Sequence, residues 1–263
     1  KVFMVFSMIL LVLVGAVFVS QPADILVRLT GGAMGINTWI AIIFVYYLLA
    51  TLFPIDKIIG RFYPICRAAL LFMASGIMIA LFVNHPPLPE MWKGFGVKYD
   101  KNPIFPMMFI SIACGAISGF HATQSPLMAR CITDEGKGRV VFYGAMVSEG
   151  IVALIWAAAA TAYFGEHGTD YTAAQIVLDI SKTWLGKVGG ILAVVGVVAA
   201  PISSGDTALR SARLIVADFF KIRQKSIGSR LAISIPLFVI TFFALFYSLR
   251  DKEGFNIIWR YFA

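Results

Sequence analysis

The chain has 263 residues, of which 59% are hydrophobic and only 14% are charged. Such a high apolar fraction excludes an ordinary soluble domain and predicts a multi-pass membrane protein. The formal net charge of +8 would suggest a nucleic-acid partner in a soluble chain. Here the basic residues lie in short segments between apolar runs, which is typical of membrane topology. We therefore expect the lipid bilayer as the partner of this surface, and no nucleic acid.

Seven apolar runs are each long enough for the ~20 residues that cross a bilayer. They must be helical, because isolated strands would leave backbone groups unpaired in lipid. In chain order the runs cover residues 2–23, 29–55, 68–89, 102–129, 140–165, 188–205 and 231–249. Residues 255–263 resemble the start of another helix. The sequence thus predicts an all-α, polytopic membrane protein with about seven transmembrane helices and the start of an eighth.

The basic residues also indicate an orientation. On alternate sides of the predicted spans they number 13 and 9, and the richer side is expected to face the cytoplasm. Six of the 13 lie close together after the sixth span, at Arg210, Arg213, Lys221, Arg223, Lys225 and Arg230. Because Lys1 runs directly into a spanning segment, we expect residues 1–263 to be a fragment that forms a single transmembrane domain.

A short helix is predicted in the segment after the fifth span. Residues 172–175 fit a helix N-terminal capping box, and Gly186 fits a helix end. Between them apolar side chains recur at helical spacing, at Ala173, Ile176, Val177, Ile180 and Trp184. This amphipathic helix would lie across the outer face, either as an interfacial anchor or as a lid over an external vestibule.

The span within residues 104–133 carries unusual polar chemistry at membrane depth. Gly119 weakens a helix and Pro126 cannot donate a helical hydrogen bond, so the sequence predicts an unwound patch between them. Broken helices at this depth are typical of substrate sites in transporters. The candidate substrate-binding residues are Ser118, Gly119, His121, Thr123, Gln124 and Ser125. The alternative is a packed proline kink whose hydroxyls bond to their own backbone.

A second polar stretch follows residue 200. Pro201 should bend the helix and expose carbonyls one turn earlier, near Val197 and Val198. The hydroxyl oxygens of Ser203, Ser204 and Thr207 could then hold Na⁺, the one metal ion that the sequence suggests. Asp206 stands four residues before Arg210, which is the favourable order for a helical ion pair, so Asp206 is either structural or a coupling residue.

Glu149 is the single charged residue of the fifth span. Helical rise puts it roughly 10 Å from the cytoplasmic boundary. Loss of water there would favour the protonated carboxyl, which suits reversible protonation during transport. The alternative is an ion pair with His121 or with an arginine of a neighbouring helix.

Three motifs together resemble the carbon starvation protein A (CstA) family. They are Ala-Cys-Gly-Ala-Ile-Ser-Gly-Phe-His-Ala at residues 113–122, Gly-Ala-Met-Val-Ser-Glu at 144–149 and Gly-Asp-Thr-Ala-Leu-Arg-Ser-Ala-Arg at 205–213. Their order and spacing agree with the family, and the resemblance covers most of the chain from about Tyr46 onward.

The resemblance implies a bacterial inner-membrane transporter for peptides or pyruvate, built on a five-plus-five inverted repeat. Residues 1–89 would be the later helices of the first repeat. Residues 104–263 would form the second repeat, with a broken helix at 104–133 and a kinked helix at 188–220 that supplies hydroxyls to a sodium site. The family's N-terminal broken helix is expected to be missing from this chain.

The resulting hypothesis is a cation-coupled symporter that takes up peptides or pyruvate and is not an enzyme. The sequence has no metal-ligand spacing, nucleophile elbow or phosphate-binding loop, so we expect no cofactor except Na⁺ or H⁺ as the coupling ion. The alternative is a membrane sensor or channel-like subunit without coupled transport.

Overall fold

A computed structural model describes residues 2–52, 56–88, 90, 105, 108–109, 112, 125–126, 128–167, 171, 173–224 and 226–250. This part of the chain is helical and contains no strands. Its α-helices are α1 (Val2–Leu29), α2 (Ile36–Leu52), α3 (Asp56–Asn84), α4 (Ala145–His167), α5 (Ala173–Leu192), α6 (Ala199–Phe219) and α7 (Ile227–Arg250). The described residues also include a 3₁₀ turn (Glu135–Lys137) and two π-helical segments (Arg139–Gly144 and Ala193–Val198).

Four helical segments are long and apolar enough to cross a membrane, and they confirm the predicted helical membrane protein. They are Met4–Leu29, Pro64–Asn84, Glu135–Gly165 and Ile227–Tyr247, and α5 and α6 would add a fifth if the two together form one span. The apolar helix Ile36–Ala50 is shorter. Most of the predicted span at 102–129 lies outside the described residues. The predicted span at 188–205 is divided between α5, a π-helix and α6.

The described residues form two compact units, and the first contains Lys1–Leu70 and Val194–Phe262. Within it α1 makes its most extensive contacts with α6 and also packs against α2 and α7. Small residues allow this close packing, since a Cβ at Gly15 would collide with the side chain of Leu209. The core combines all four helices: Ala16, Val19, Ala23, Ile40, Ile43, Tyr47, Leu209, Phe238 and Leu245.

The second unit, Leu71–Ala193, contains the amphipathic helix that the sequence predicts after the fifth span. Helix α5 begins at Ala173 as expected, and both Ile176 and Ile180 of its apolar face are buried. Gly186 has a φ of +62°, so the predicted helix end is present as a kink, after which the helix continues to Leu192. Thr172 of the predicted capping box lies outside the described residues.

Helix α5 is held against both α3 and α4. The Ser181 hydroxyl donates to the Met73 sulfur at 3.7 Å, and the Tyr163 hydroxyl donates to the Asp179 carboxylate at 3.0 Å. Close to the first contact, Leu185 of α5 lies against Gly76 of α3. These contacts fix α5 within its unit, while its roles as anchor or lid stay predictions, as do the repeat boundaries at residues 89 and 104.

Candidate functional site

The irregular backbone predicted before Pro201 is present, in the form of a π-helix. Pro201 has no amide hydrogen to donate to the carbonyl of Val197, so the regular α-helical ladder cannot continue through this turn. The backbone widens into the π-helical segment Ala193–Val198, and regular helix resumes in α6 at Ala199. Such π-helical turns within helices frequently lie at functional sites.

The predicted sodium ligands lie on the first turns of α6. The Ser203 hydroxyl donates to the Ala200 carbonyl at 2.8 Å, and the Thr207 hydroxyl donates to the Ser203 carbonyl at 2.9 Å. Each hydroxyl proton is thereby used by the helix itself, but a hydroxyl oxygen has two acceptor lone pairs that could face a cation. Ser203, Ser204 and Thr207 are all half-buried, and Ser203 and Thr207 share one helix face because they stand four residues apart.

Asp206 forms the predicted ion pair with Arg210. The residue is only 2% exposed, and its Oδ2 lies 3.0 Å from Nη2 of Arg210. The same Nη2 lies 3.4 Å from the carbonyl oxygen of Ala50, in the last turn of α2. A cation at the C-terminal end of a helix is favourable, because carbonyl dipoles concentrate there. The pair therefore stabilises the packing of α6 against α2.

A tyrosine that the sequence analysis did not single out joins three helices at this place. Tyr47 of α2 is fully buried, and its hydroxyl donates to the Phe18 carbonyl of α1 at 2.8 Å. In a regular helix the amide of residue 22 would bond that carbonyl, but residue 22 is proline and has no amide hydrogen. The Tyr47 hydroxyl takes the place of the missing donor.

The Tyr47 hydroxyl also lies 3.4 Å from the Pro201 carbonyl of α6. Gly205 makes this approach possible, because a Cβ at that position would collide with the hydroxyl and ring of Tyr47. The sequence does contain a signal for the contact, since a proline inside an apolar span leaves a carbonyl that needs another hydrogen-bond donor, and a side chain of a neighbouring helix is one source of it. The identity of the residue that does so depends on tertiary packing.

Glu149 lies on α4, in the candidate span Glu135–Gly165. Its side chain is exposed, and the hydroxyl of neighbouring Ser148 donates to the Gly144 carbonyl at 2.9 Å. The π-helical segment Arg139–Gly144 ends five residues before Glu149. His121, one of the two ion-pair partners considered for Glu149, lies outside the described residues.

Most of the predicted substrate patch also lies outside the described residues, namely Ser118, Gly119, His121, Thr123 and Gln124. Ser125 is described, and it is helical and half-buried. Pro126 beside it is helical and exposed. Within the part of the chain that the structure describes, no group of three or more His, Cys, Asp or Glu side chains could hold a metal ion.

Several curated proteins are similar to this chain. A Haemophilus influenzae protein named "Uncharacterized membrane protein" is 39% identical over 210 residues, which are 60% of this chain and 56% of that protein. The Escherichia coli peptide transporter CstA is 33% identical over 137 residues, or 49% of this chain and 18% of the transporter. The Escherichia coli pyruvate/proton symporter BtsT is 32% identical over 122 residues, or 44% of this chain and 17% of the symporter.

The matches thus extend over little more than half of the Haemophilus influenzae protein and less than a fifth of each Escherichia coli transporter. No solved structure matches the chain at a significant level. The family model described as "Carbon starvation protein CstA" matches residues 1–182. That range covers more than half of the chain and includes two of the three motifs on which the resemblance rests. Together with its several apolar helices, the match identifies a multi-pass membrane protein that belongs to the CstA family.

Proposed function

We propose that this chain is part of a secondary active transporter, a cation-coupled symporter that takes up peptides or pyruvate across the bacterial inner membrane. The names of two relatives, a peptide transporter and a pyruvate/proton symporter, support transport as the activity. The observation in this chain that carries the proposal is the half-buried hydroxyl pair of Ser203 and Thr207, which directly follows a π-helical turn.

The proposed architecture is the five-plus-five inverted repeat, with seven transmembrane helices and the start of an eighth in this chain. Residues 1–89 would belong to the first repeat and residues 104–263 to the second. Rocking of one helix group against the other would then open the site to each side of the membrane in turn.

In the proposed mechanism one polar stretch binds the substrate and the other binds the coupling ion. Substrate polar groups meet the side chains and backbone of Ser118, Gly119, His121, Thr123, Gln124 and Ser125. A cation meets the oxygens of Ser203, Ser204 and Thr207, and a proton is exchanged at Glu149 or Asp206. No bond of the substrate changes, so the protein would be a carrier and not an enzyme, with Na⁺ or H⁺ as coupling ion and no other cofactor.

The contacts of the two acids favour Glu149 as the proton-exchanging group. Asp206 is buried, and its carboxylate lies 3.0 Å from the Arg210 guanidinium, with which it forms an ion pair within α6. Glu149 lies on α4 and its side chain is exposed, so it does not share this buried ion pair. Asp206 would then act mainly by fixing the helix that carries the hydroxyls.

The test of the proposal is uptake of labelled pyruvate or small peptides by proteoliposomes that contain the complete protein. Sodium and proton gradients are imposed separately. Uptake driven by either gradient supports a symporter, and saturable counterflow distinguishes a carrier from a channel-like subunit. The proposal is wrong if neither gradient drives uptake of any of these substrates.

The sodium site is tested with Ser203→Ala and Thr207→Val in the same assay. Loss of each ligand oxygen should lower the apparent sodium affinity about tenfold, which corresponds to about 1.4 kcal/mol. Ser211→Ala is the matched control, because its hydroxyl makes the same kind of bond to the Thr207 carbonyl one turn further along α6, at 2.8 Å. Equal effects of all three substitutions would contradict the sodium site.

The proton site is tested with Glu149→Gln. This variant should lose proton-driven uptake but keep counterflow exchange, since the amide resembles the protonated carboxyl and cannot release a proton. Glu135→Gln is the control, because Glu135 is an exposed acid at the start of the same candidate span. Proton-driven uptake that survives Glu149→Gln would exclude Glu149 as the coupling residue.

A further inference from the structure

The loop that connects α6 to α7, residues 220–226, combines basic and apolar side chains at one end of a candidate span. We propose that this α6–α7 loop is a binding surface for the anionic headgroups of membrane phospholipids. Residues 220–230 contain four basic residues, at positions 221, 223, 225 and 230, and no acid. Lys221 and Arg223 are exposed in the loop itself.

The loop lies next to a candidate membrane span, so its side chains are expected at the level of the lipid headgroups. The candidate span Ile227–Tyr247 begins directly after it. Phe220 is 65% exposed, and its ring packs edge-to-face on that of Phe219 with centroids 5.1 Å apart. Ile222 and Ile227 are also exposed. Aromatic side chains are enriched at the headgroup level, where one part of a surface is apolar and the other is wet.

Lys221 occupies a backbone position that favours glycine. Its φ is +54°, and α6 ends there in a Schellman motif, with the Ile222 amide donating to the Ala217 carbonyl at 2.8 Å and the Lys221 amide to the Asp218 carbonyl at 3.2 Å. A side chain at positive φ strains the backbone, so glycine would be more stable at this position. Lys221 therefore places a positive charge directly at the C-terminal end of α6, and its replacement by glycine would remove the charge without a cost in backbone strain.

Arg230 adds a basic group from the first turn of α7. Its Nε donates to the Gln224 carbonyl at 3.0 Å, so the side chain turns back towards the loop. A long basic side chain near the end of a span commonly reaches the interface in this way. Arg230 thereby joins the α6–α7 loop at Gln224, one residue after Arg223.

The alternation of charge and apolar surface favours a lipid over a free phosphate ion. Lys221 and Arg223 alternate along the chain with Phe220 and Ile222. A soluble phosphate would use only the bases, whereas a bilayer supplies both anionic headgroups and an apolar layer beneath them. Among the described residues, neither Lys221 nor Arg223 makes an ion pair that would use its charge inside the protein.

The test uses the complete protein in nanodiscs of phosphatidylcholine and phosphatidylglycerol in equimolar mixture. Photoactivatable analogues of the two lipids are crosslinked in parallel, and mass spectrometry measures the ratio of their adducts on the loop. We expect the ratio to favour phosphatidylglycerol. Lys221→Gly should lower it about fivefold, and the double variant Lys221→Gly/Arg223→Gln about thirtyfold, because each base near an anionic surface contributes about this factor.

Because Lys221→Gly relieves backbone strain, it separates loss of lipid binding from loss of stability. Lys221→Gly should leave the thermal stability in pure phosphatidylcholine unchanged or higher, so a lower ratio cannot come from unfolding. Lys187→Gln, which removes an exposed base of α5, should leave the ratio at the loop unchanged. A wild-type ratio of one, an unchanged ratio in Lys221→Gly, or displacement of the lipid by dissolved inorganic phosphate would each overturn the proposal.

Discussion

Helices α6 and α4 each follow a π-helical segment and each carry an acidic residue, but they differ in burial. In α6 eight residues are buried, including Asp206 at 2% exposure. Among the described side chains of α4, only Ala159, Ala162 and Tyr163 are buried, all near its C-terminal end, and Glu149 is exposed. Two helices that each follow a π-helical segment can therefore differ in how many of their side chains are buried.

The difference follows from small residues on the buried face of α6. Gly205, Ala208 and Ala212 are all buried there, and small side chains let helix backbones approach closely where no hydrophobic effect drives association. Close approach leaves little room for water, so the acid on this helix needs a fixed partner. Glu149 of α4 is exposed and does not lie in such a closely packed interface, and the two carboxylates are therefore assigned different roles in the proposed mechanism.

The largest expected effect comes from breaking the buried ion pair. Arg210→Ala should lower the free energy of unfolding by about 3–5 kcal/mol, because Asp206 stays buried after losing this partner. Unfolding by sodium dodecyl sulfate in mixed micelles measures the change. Arg28→Ala is the matched control, since Arg28 and Asp24 form an (i, i+4) pair at a similar distance, 3.1 Å against 3.0 Å, but with side chains about one-third exposed.

An exposed pair of this kind contributes only about 0–1 kcal/mol. Both pairs have the same (i, i+4) spacing and a similar distance, so a difference between the two stability losses would come from burial. Similar losses of stability in Arg210→Ala and Arg28→Ala would show that α6 is as accessible to water as the surface of α1, and would remove the distinction between the two acids.

A smaller effect is expected from filling the space next to Tyr47. Gly205→Ala should lower the free energy of unfolding by about 1–3 kcal/mol, because Tyr47 is fully buried and can move aside only by giving up its hydrogen bond. On α4, Gly150→Ala should instead raise stability by up to about 1 kcal/mol, since no atom lies within 4 Å of the added Cβ and alanine favours the helix. Stability changes of the same sign in both variants would contradict the difference in packing between α6 and α4.

The sequence predicts the parts of this structure that depend on local chemistry. The irregular backbone before Pro201, the break in helical geometry at Gly186 and the Asp206–Arg210 pair all follow from residues within one or two helical turns of each other, although the π-helical form of the first and the continuation of α5 beyond the second were not predicted. Contacts between distant segments are different in kind. Tyr47 and Phe18 are 29 residues apart and Tyr47 and Pro201 are 154 apart, so pairing them requires the packing of α1, α2 and α6 to be known. For the same reason the sequence leaves open whether Glu149 exchanges protons or pairs with His121 or with an arginine of a neighbouring helix.

The smallest effect tests whether Tyr47 replaces the donor that Pro22 lacks. Tyr47→Phe should lower the free energy of unfolding by about 1 kcal/mol, the usual contribution of one hydrogen bond. In a Pro22→Ala background the new amide can bond the Phe18 carbonyl itself, so the same Tyr47→Phe change should cost markedly less. The double-mutant cycle isolates this coupling from the cavity that each single substitution creates. If Tyr47→Phe lowers the free energy of unfolding equally in both backgrounds, the hydroxyl stabilises the protein through its contact with Pro201 of α6 instead. The contact of α2 with α6, and not that with α1, would then account for the contribution of Tyr47.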